Sequence, residues 1–401
     1  MDLASIESKT QKFLCPTYTR YPLAVQSARG CRLYDFEGRE YIDLLAGISV
    51  CNLGHSHPEI VDCIKRQAEK LIHVSNLFYQ EEQVLLAEKL LKTCGLERTF
   101  FCNSGAEANE AAIKLTRRYM NKVRKENRFE LITFSGSFHG RTLATLSATG
   151  QERIKQGFEP LPHGFKNVPF NDVLALEDAV NEHTAAIMIE CIQGEGGIRT
   201  IAPELASTIT KLQEERKLLL IVDEIQTGLG RTGTFWAHEQ FGLEPDMITS
   251  SKALAAGLPM GALLASDELA HAFGPGSHGT TFGGGALVSA TGLKALEIIE
   301  RDNLVRQSFE TGIWAGNLFE ELAVKYPGHI LEVRGSGLMI GIELAFPGQE
   351  VWKSLLEQGF VLNLTQDTVL RLLPPLIISR QDIQAFAQAL DTTLSRINIT
   401  A

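Results

Sequence analysis

Between residues 98 and 265 the chain repeats one texture, a short run rich in apolar residues followed by a longer stretch with helical spacing. The runs are RTFFC (98–102), ELITF (130–134), AAIMIEC (185–191), LLLIVD (218–223), DMITSS (246–251) and GALLA (261–265). A strand that is apolar on both faces must lie inside, paired edge to edge with its neighbours and covered by helices above and below. The series therefore predicts an α/β fold with a mostly parallel sheet. In such a sheet the loops at the carboxyl ends of the strands carry the ligand site. Helical spacing over 107–122 supplies the first covering helix.

The flanks read differently. Residues 11–45 read as a loop and a short β ribbon, opened by Tyr18, Arg20, Tyr21 and Pro22 and turning at Glu37-Gly38-Arg39. The two histidines of GHSHP (54–58) lack any accompanying carboxylate or cysteine cluster, so a turn before a Pro-started helix is expected rather than a metal site. Helical spacing follows over 57–69 and 80–92. After about residue 285 come long helical patterns (287–301, 304–326), a strand pair (330–344), two short apolar runs and a final helix (381–397). The expected organisation is a large domain over 51–285, a smaller α+β domain over 286–401, and an N-terminal segment, 1–50, packed with the smaller one.

With 401 residues, 44% of them hydrophobic and 21% charged, the chain is long enough for two domains and a large core. Its formal net charge of −10 argues against a nucleic-acid or anionic-membrane partner. No apolar run approaches the roughly 18 residues a membrane span needs. Seven cysteines, an odd number with no CxxC pair, fit a reducing compartment. MDLASIESKT has no apolar core of a signal segment, and a cytoplasmic location is expected.

Several strand ends carry chemistry-bearing residues. Lys252 sits in PDMITSSKALAAGLPMG among small and apolar neighbours, where desolvation lowers an amine's pKa and makes it a usable nucleophile. The bland alternative is a lysine that snorkels to water. Asn103-Ser104-Gly105-Ala106 lies between a strand and a helix, which suits either an anion site or a simple N-cap. Asp223 ends the most apolar strand and is followed by Glu224-Ile225-Gln226. An ATPase reading of that acid fails, because no GxxxxGK[ST] exists in the chain. GLGRTG (228–233) matches GxGxxG only formally, since it neither follows a strand directly nor opens a helix. In FHGRT (138–142) Phe138 can stack on a planar ring and Arg141 can grip a carboxylate. Glu195 lies in the flexible GEGG, and Arg371 is a charge inside the apolar run LRLLPP, where charges are usually paired or functional.

In this order, and through the blocks FFCNSGAEANEAAIKL, FHGRT, IQGEGG, LLLIVDEIQTGLGRTG, SKALAAGLPMGALL, TTFGG, VRGSGLMIGIEL and VLRLLPPL, the chain resembles the fold-type I pyridoxal-phosphate enzymes. Within them it resembles the class III (ω-amino acid) aminotransferases, most of all their acetylornithine branch. The resemblance covers nearly the whole chain. It implies pyridoxal 5'-phosphate as cofactor, held covalently by Lys252, which then moves the substrate proton. It implies that Asp223 keeps the ring nitrogen protonated, that Gln226 reaches the ring hydroxyl, and that Phe138 stacks on the ring. Ser104, Gly105 and Ala106 would hold the phosphate, Glu224 and Ile225 would be among the cofactor-binding residues, and Thr281 would reach the phosphate of a neighbouring subunit in a homodimer.

Arg141 and Thr280 would bind substrate, and Glu195 would mask Arg371 whenever the substrate has no carboxylate beside its reacting carbon. The implied reaction passes the δ-amino group of N2-acetylornithine to 2-oxoglutarate, a step of arginine biosynthesis, with ornithine, succinylornithine or 4-aminobutyrate as alternative donors. Ile48 stands where ornithine enzymes carry a tyrosine for the free α-amine. Cys191, Gly285-Ala286, Ser251 and Ala255-Ala256 depart from the usual pattern without removing a catalytic group.

Overall fold

A computed structural model describes residues 2–397 of the chain. Its central sheet holds seven strands: β1 (Arg98–Cys102), β2 (Glu130–Phe134), β3 (Phe165–Val168), β4 (Thr184–Ile189), β5 (Leu219–Asp223), β6 (Met247–Ser250) and β7 (Gly261–Ala265). They lie in the order β1-β7-β6-β5-β4-β2-β3. From β6 through β3 every pairing is parallel, and β7 alone runs against its neighbours. The α/β expectation holds.

The alternation along β5 shows why. Leu219 and Ile221 pack with Ala111, Ala112 and Leu115 of the helix Gly105–Tyr119. Leu220 and Val222 pack on the opposite face with Leu205, Ile209 and Leu212 of the helix Pro203–Arg216. Each full burial of such a side chain contributes about 1.5–3 kcal/mol, so no register shift of the strand is tolerated. The edge strand β3 is absent from the expected series because FKNV carries Lys166 and Asn167 and is mostly half-buried. The helix Gly105–Tyr119 starts two residues before the expected 107, capped by Ser104, and runs into a π turn at Met120–Arg124. The final helix, Arg380–Leu394, stops short of 397.

His57 precedes the helix Pro58–Lys70, as the turn reading of GHSHP requires. His55 instead pairs with Asp43 at 2.6 Å, and that hydrogen bond, with Cys51, pushes its imidazole up to about 10. In the C-terminal part, Ile330–Ser336, Met339–Leu344, Val369–Leu372 and Asn363–Thr365 form an antiparallel sheet. The strand Phe360–Val361 joins the N-terminal ribbon by pairing with Glu40–Asp43. Among the described residues no helix is long and apolar enough to cross a membrane.

One side chain knots these parts together. Arg231, from the false GxGxxG, is fully buried. It donates to Ser49 Oγ (2.9 Å), Asn52 Oδ1 (2.5 Å), and the carbonyls of Leu338 (2.9 Å) and Pro374 (2.6 Å). Burial pushes its guanidinium down to about 9, with Asp43 opposing. Arg231→Met should lower unfolding stability by at least about 3 kcal/mol, because several buried acceptors lose their donors at once. Guanidinium unfolding measures it, and a loss under about 1 kcal/mol would show that the knot is dispensable.

Candidate active site

The carboxyl end of β5 delivers Asp223 into the interior, where it is 3% exposed. Its Oδ2 accepts from Asn109 Nδ2 (2.7 Å) and His139 Nδ1 (2.8 Å), and its Oδ1 accepts from the Ile225 amide (3.1 Å). Burial pushes the His139 imidazole down, but the Asp223 hydrogen bond and charge outweigh it and the net shift is upward. Beside this acid the helix Gly105–Tyr119 begins, with Ser104 Oγ accepting from the Glu107 amide (3.2 Å). Glu107 folds back onto the Asn103 amide (2.7 Å), closing the cap. The amides of Gly105 and Ala106, first in the helix, have no intrahelical acceptor and face the positive end of its dipole. A Cβ at Gly105 would sit 2.7 Å from Ile225 Cδ1 and 2.9 Å from its Cγ2, so any larger residue would force Ile225 to shift.

Lys252 follows β6 with φ +45°, a conformation that non-glycine residues rarely adopt and that persists only where the surroundings enforce it. Ser251 anchors the turn by donating to the Met260 carbonyl at 2.6 Å. The Lys252 ammonium makes no hydrogen bond or ion pair with any described residue. Burial pushes its pKa down to about 8, Glu195 pulls it up and Arg371 pushes it further down.

Arg371, on the strand Val369–Leu372, donates through Nη1 to Glu195 Oε1 (2.6 Å) and the Gly194 carbonyl (2.8 Å). The pair is asymmetric: the arginine side chain is 1% exposed and the glutamate side chain 32%. Burial pushes the Glu195 carboxyl up, yet the Arg371 charge and hydrogen bond outweigh it and leave it below the ordinary range. The Glu195 carbonyl accepts from Thr365 Oγ1 (3.0 Å) and Gln366 Nε2 (2.7 Å), so its backbone is pinned from the C-terminal sheet.

A cavity of about 1010 Å³ opens over this pair, lined by Tyr21, Phe138, Arg141, Glu195, Asn363 and Thr365 among others. Arg141 stands 5.6 Å from the Phe138 ring centroid and has no ion-pair partner among the described residues. The buried Glu190 joins the two loops beneath, accepting from the Phe138 amide (2.9 Å) and the Gly194 amide (3.3 Å). Burial pushes its carboxyl up to about 7; His139 opposes and Asp223 adds to the rise.

Of the residues singled out in the sequence, Ser104, Gly105, Ala106, Asp223, Ile225, Gln226 and Lys252 gather at the ends of β1, β5 and β6. Phe138, Arg141 and Glu195 line the cavity. Glu224 is different, because its carboxylate is spent on the loop, accepting from Thr227 Oγ1 and from the His238 amide (2.9 Å). Thr280 Oγ1 accepts from Asn103 Nδ2 (2.9 Å), while Thr281 is exposed. Sequence reading missed Asn109, His139, Glu190 and Asn363. Asn109 was detectable as the residue four beyond Gly105, on the same helix face.

The donor set fits pyridoxal 5'-phosphate. Gln226 Oε1 is buried without a donor, as a site for a ring hydroxyl would leave it. Gly194 leaves room beside it, for a Cβ there would lie 2.1 Å from that oxygen. Free helix amides suit a phosphate, a buried carboxylate suits a protonated ring nitrogen, and a partnerless lysine suits an aldehyde carbon.

The family profile described as Aminotransferase class-III matches residues 14–394. The acetylornithine aminotransferase of Methanocaldococcus jannaschii is 47% identical over 387 residues, 96% of this chain and 97% of that protein. The ornithine aminotransferase of Toxoplasma gondii, whose structure has PLP at partial occupancy in its active site, superposes with a TM-score of 0.93 at 30% identity, covering 98% of this chain and 94% of that one. The acetylornithine aminotransferase of Elizabethkingia anophelis superposes with a TM-score of 0.88 at 28% identity, covering 99% and 100%.

Proposed function

The chain belongs to the class-III aminotransferases, a family that uses pyridoxal phosphate, and on that premise we propose that it moves the δ-amino group of N2-acetyl-L-ornithine to 2-oxoglutarate. The products are N-acetylglutamate 5-semialdehyde and L-glutamate, and the setting is arginine biosynthesis in the cytoplasm. When bound, the cofactor supplies an electron sink for the carbon that loses its proton. Lys252 Nζ takes that proton from the amine-bearing carbon of the donor, and returns one to the keto carbon of 2-oxoglutarate in the second half-reaction. Asp223, held by three hydrogen bonds, would be the carboxylate that meets the ring nitrogen. Phe138 would exclude water from the ring, and the amides of Gly105 and Ala106 with Ser104 would hold the phosphate.

The observation that carries the two-substrate reading is the asymmetric Glu195–Arg371 pair. The donor has no carboxylate at its reacting carbon, so an open Arg371 would be a buried, uncompensated charge costing several kcal/mol. Glutamate does have one, and it can displace Glu195, which has a way out into the cavity. Because the Glu195 backbone is pinned by Thr365 and Gln366, the switch is a side-chain rotation. Arg141, unpaired at the cavity wall, takes the remote carboxylate of either substrate.

An acylated donor is favoured by Ile48, which offers a free α-amine no hydrogen bond and stands next to Ser49, whose hydroxyl donates to the Gln226 carbonyl (3.2 Å). A homodimer is supported by two loops tied together through Asn76 Nδ2 and the Gly283 carbonyl (3.0 Å). They expose Ile72, Leu77, Phe78, Tyr79 and Phe282, a large apolar area for a monomer. In the dimer Thr281 adds its hydroxyl to the partner's phosphate site. Steady-state assays with 2-oxoglutarate and four donors test the assignment. N2-acetylornithine should exceed ornithine in kcat/KM by at least about tenfold, with succinylornithine and 4-aminobutyrate also behind. A preference for ornithine would overturn the donor.

A further inference from the structure

A switch that exposes a buried arginine needs something to hold the arginine still once its glutamate has left. We propose that Asn363, steadied by Tyr21, is the positioning residue that keeps Arg371 aimed for the dicarboxylate half-reaction. The inference rests on the two-substrate reading above.

Arg371 has five N–H groups in a planar fork. Nη1 spends its two on the Gly194 carbonyl and Glu195 Oε1, and Nε, although buried, has no partner. Nη2 donates to Asn363 Oδ1 at 2.7 Å, and Asn363 Nδ2 donates in turn to Tyr21 Oη at 3.1 Å. Asn363 pairs with Arg371 across adjacent antiparallel strands, so its backbone is fixed relative to the guanidinium. Tyr21 packs edge-on against Trp352 with ring centroids 4.7 Å apart, and both line the cavity. The order is therefore Trp352, Tyr21, Asn363, Arg371, each fixed by the one before.

When Glu195 swings out, the guanidinium keeps two protein acceptors, the Gly194 carbonyl and Asn363 Oδ1, which lie on different nitrogens. Two such anchors fix the fork's plane, whereas the carbonyl alone leaves it free to tilt. The Nη1 proton vacated by Glu195 and the second Nη2 proton then face an incoming α-carboxylate together. With Glu195 in place, that carboxylate itself orients the arginine, so Asn363 is redundant for the ω-amine donor. A half-reaction bias follows, which a merely structural residue would not show.

The test measures the half-reactions separately by single turnover, the enzyme loaded with the aldehyde form of the cofactor meeting donor alone or glutamate alone, and the enzyme loaded with its amine form meeting 2-oxoglutarate alone. Asn363→Leu should lose roughly tenfold in kcat/KM for glutamate and for 2-oxoglutarate, and stay within about twofold for the acetylated donor. Tyr21→Phe, which keeps the ring on Trp352 and removes only the acceptor hydroxyl, should show the same bias at smaller size. Should Asn363→Leu fail to fold, Tyr21→Phe carries the test alone. Equal loss in both half-reactions, or no loss in either, overturns the positioning role. A wild-type enzyme that cannot use 2-oxoglutarate overturns the two-substrate reading itself, and the inference with it.

Discussion

Lys252→Ala protein will fold and will transaminate about 10⁴-fold more slowly than the wild type, at the upper end of what one lost proton-transfer group costs. Two functions disappear together, the covalent hold on the cofactor and the base that moves the substrate proton. The depressed pKa sets the pH at which the first begins. An ammonium has no lone pair, so capture needs the neutral amine. Because burial pushes Lys252 down to about 8, capture by cofactor-free protein should climb as pH rises through about 8 and level off above it. An ordinary lysine would put that climb near pH 10. Borohydride trapping followed by intact mass measures it, with one cofactor per wild-type chain and none in the alanine variant. A variant that still traps cofactor, or a climb centred near pH 10, would sink the assignment.

The strands of the central sheet were legible wherever burial is two-sided, because such runs admit few polar residues. The edge strand β3 escaped notice because Lys166 and Asn167 interrupt its apolar pattern. Arg231 escaped for a different reason. Its partners come from residues 49, 52, 338 and 374, and nothing local in GLGRTG says that a guanidinium there will be fully buried. Glu224, which the resemblance counts among the cofactor-binding residues, turns its carboxylate to His238 and Thr227 because adjacent residues leaving a strand point to opposite sides. By contrast, the pairing of Glu195 with Arg371 was implied by the family resemblance, and the structure brings the two together at 2.6 Å. From the residues alone only half of it was legible: a charge in an apolar strand calls for a counter-charge, but nothing local in LRLLPP says which acid supplies it. The orienting groups His139 and Asn363 carry no signature of their own. They are recognisable only by the atoms they hold in place, whereas Asn109 shares a helix face with Gly105.

Glu195→Gln will turn the enzyme toward α-amino acids. The amide still fills the space and still offers an oxygen to Arg371 Nη1, but it carries no charge, so the guanidinium is left partly uncompensated in a site where it is 1% exposed. A carboxylate beside the reacting carbon of an incoming substrate then has less to displace. Replacing a charged acceptor by a neutral one is worth roughly 1–2 kcal/mol, well below the full cost of breaking a buried pair because Glu195 is one-third exposed. The ratio of kcat/KM for glutamate to that for the acetylated donor should therefore rise roughly 5–30-fold. Most of the change should appear as a loss on the donor side, whose aliphatic carbon now approaches an unmasked charge. Alanine, which has an α-carboxylate and no remote one, should become measurable as an amino donor for the same reason, though without the grip of Arg141. Single-turnover rates with the three amines separate these effects. If both half-reactions fall in equal proportion, Glu195 is only a scaffold for its loop; if the donor half-reaction is untouched, Arg371 needs no mask.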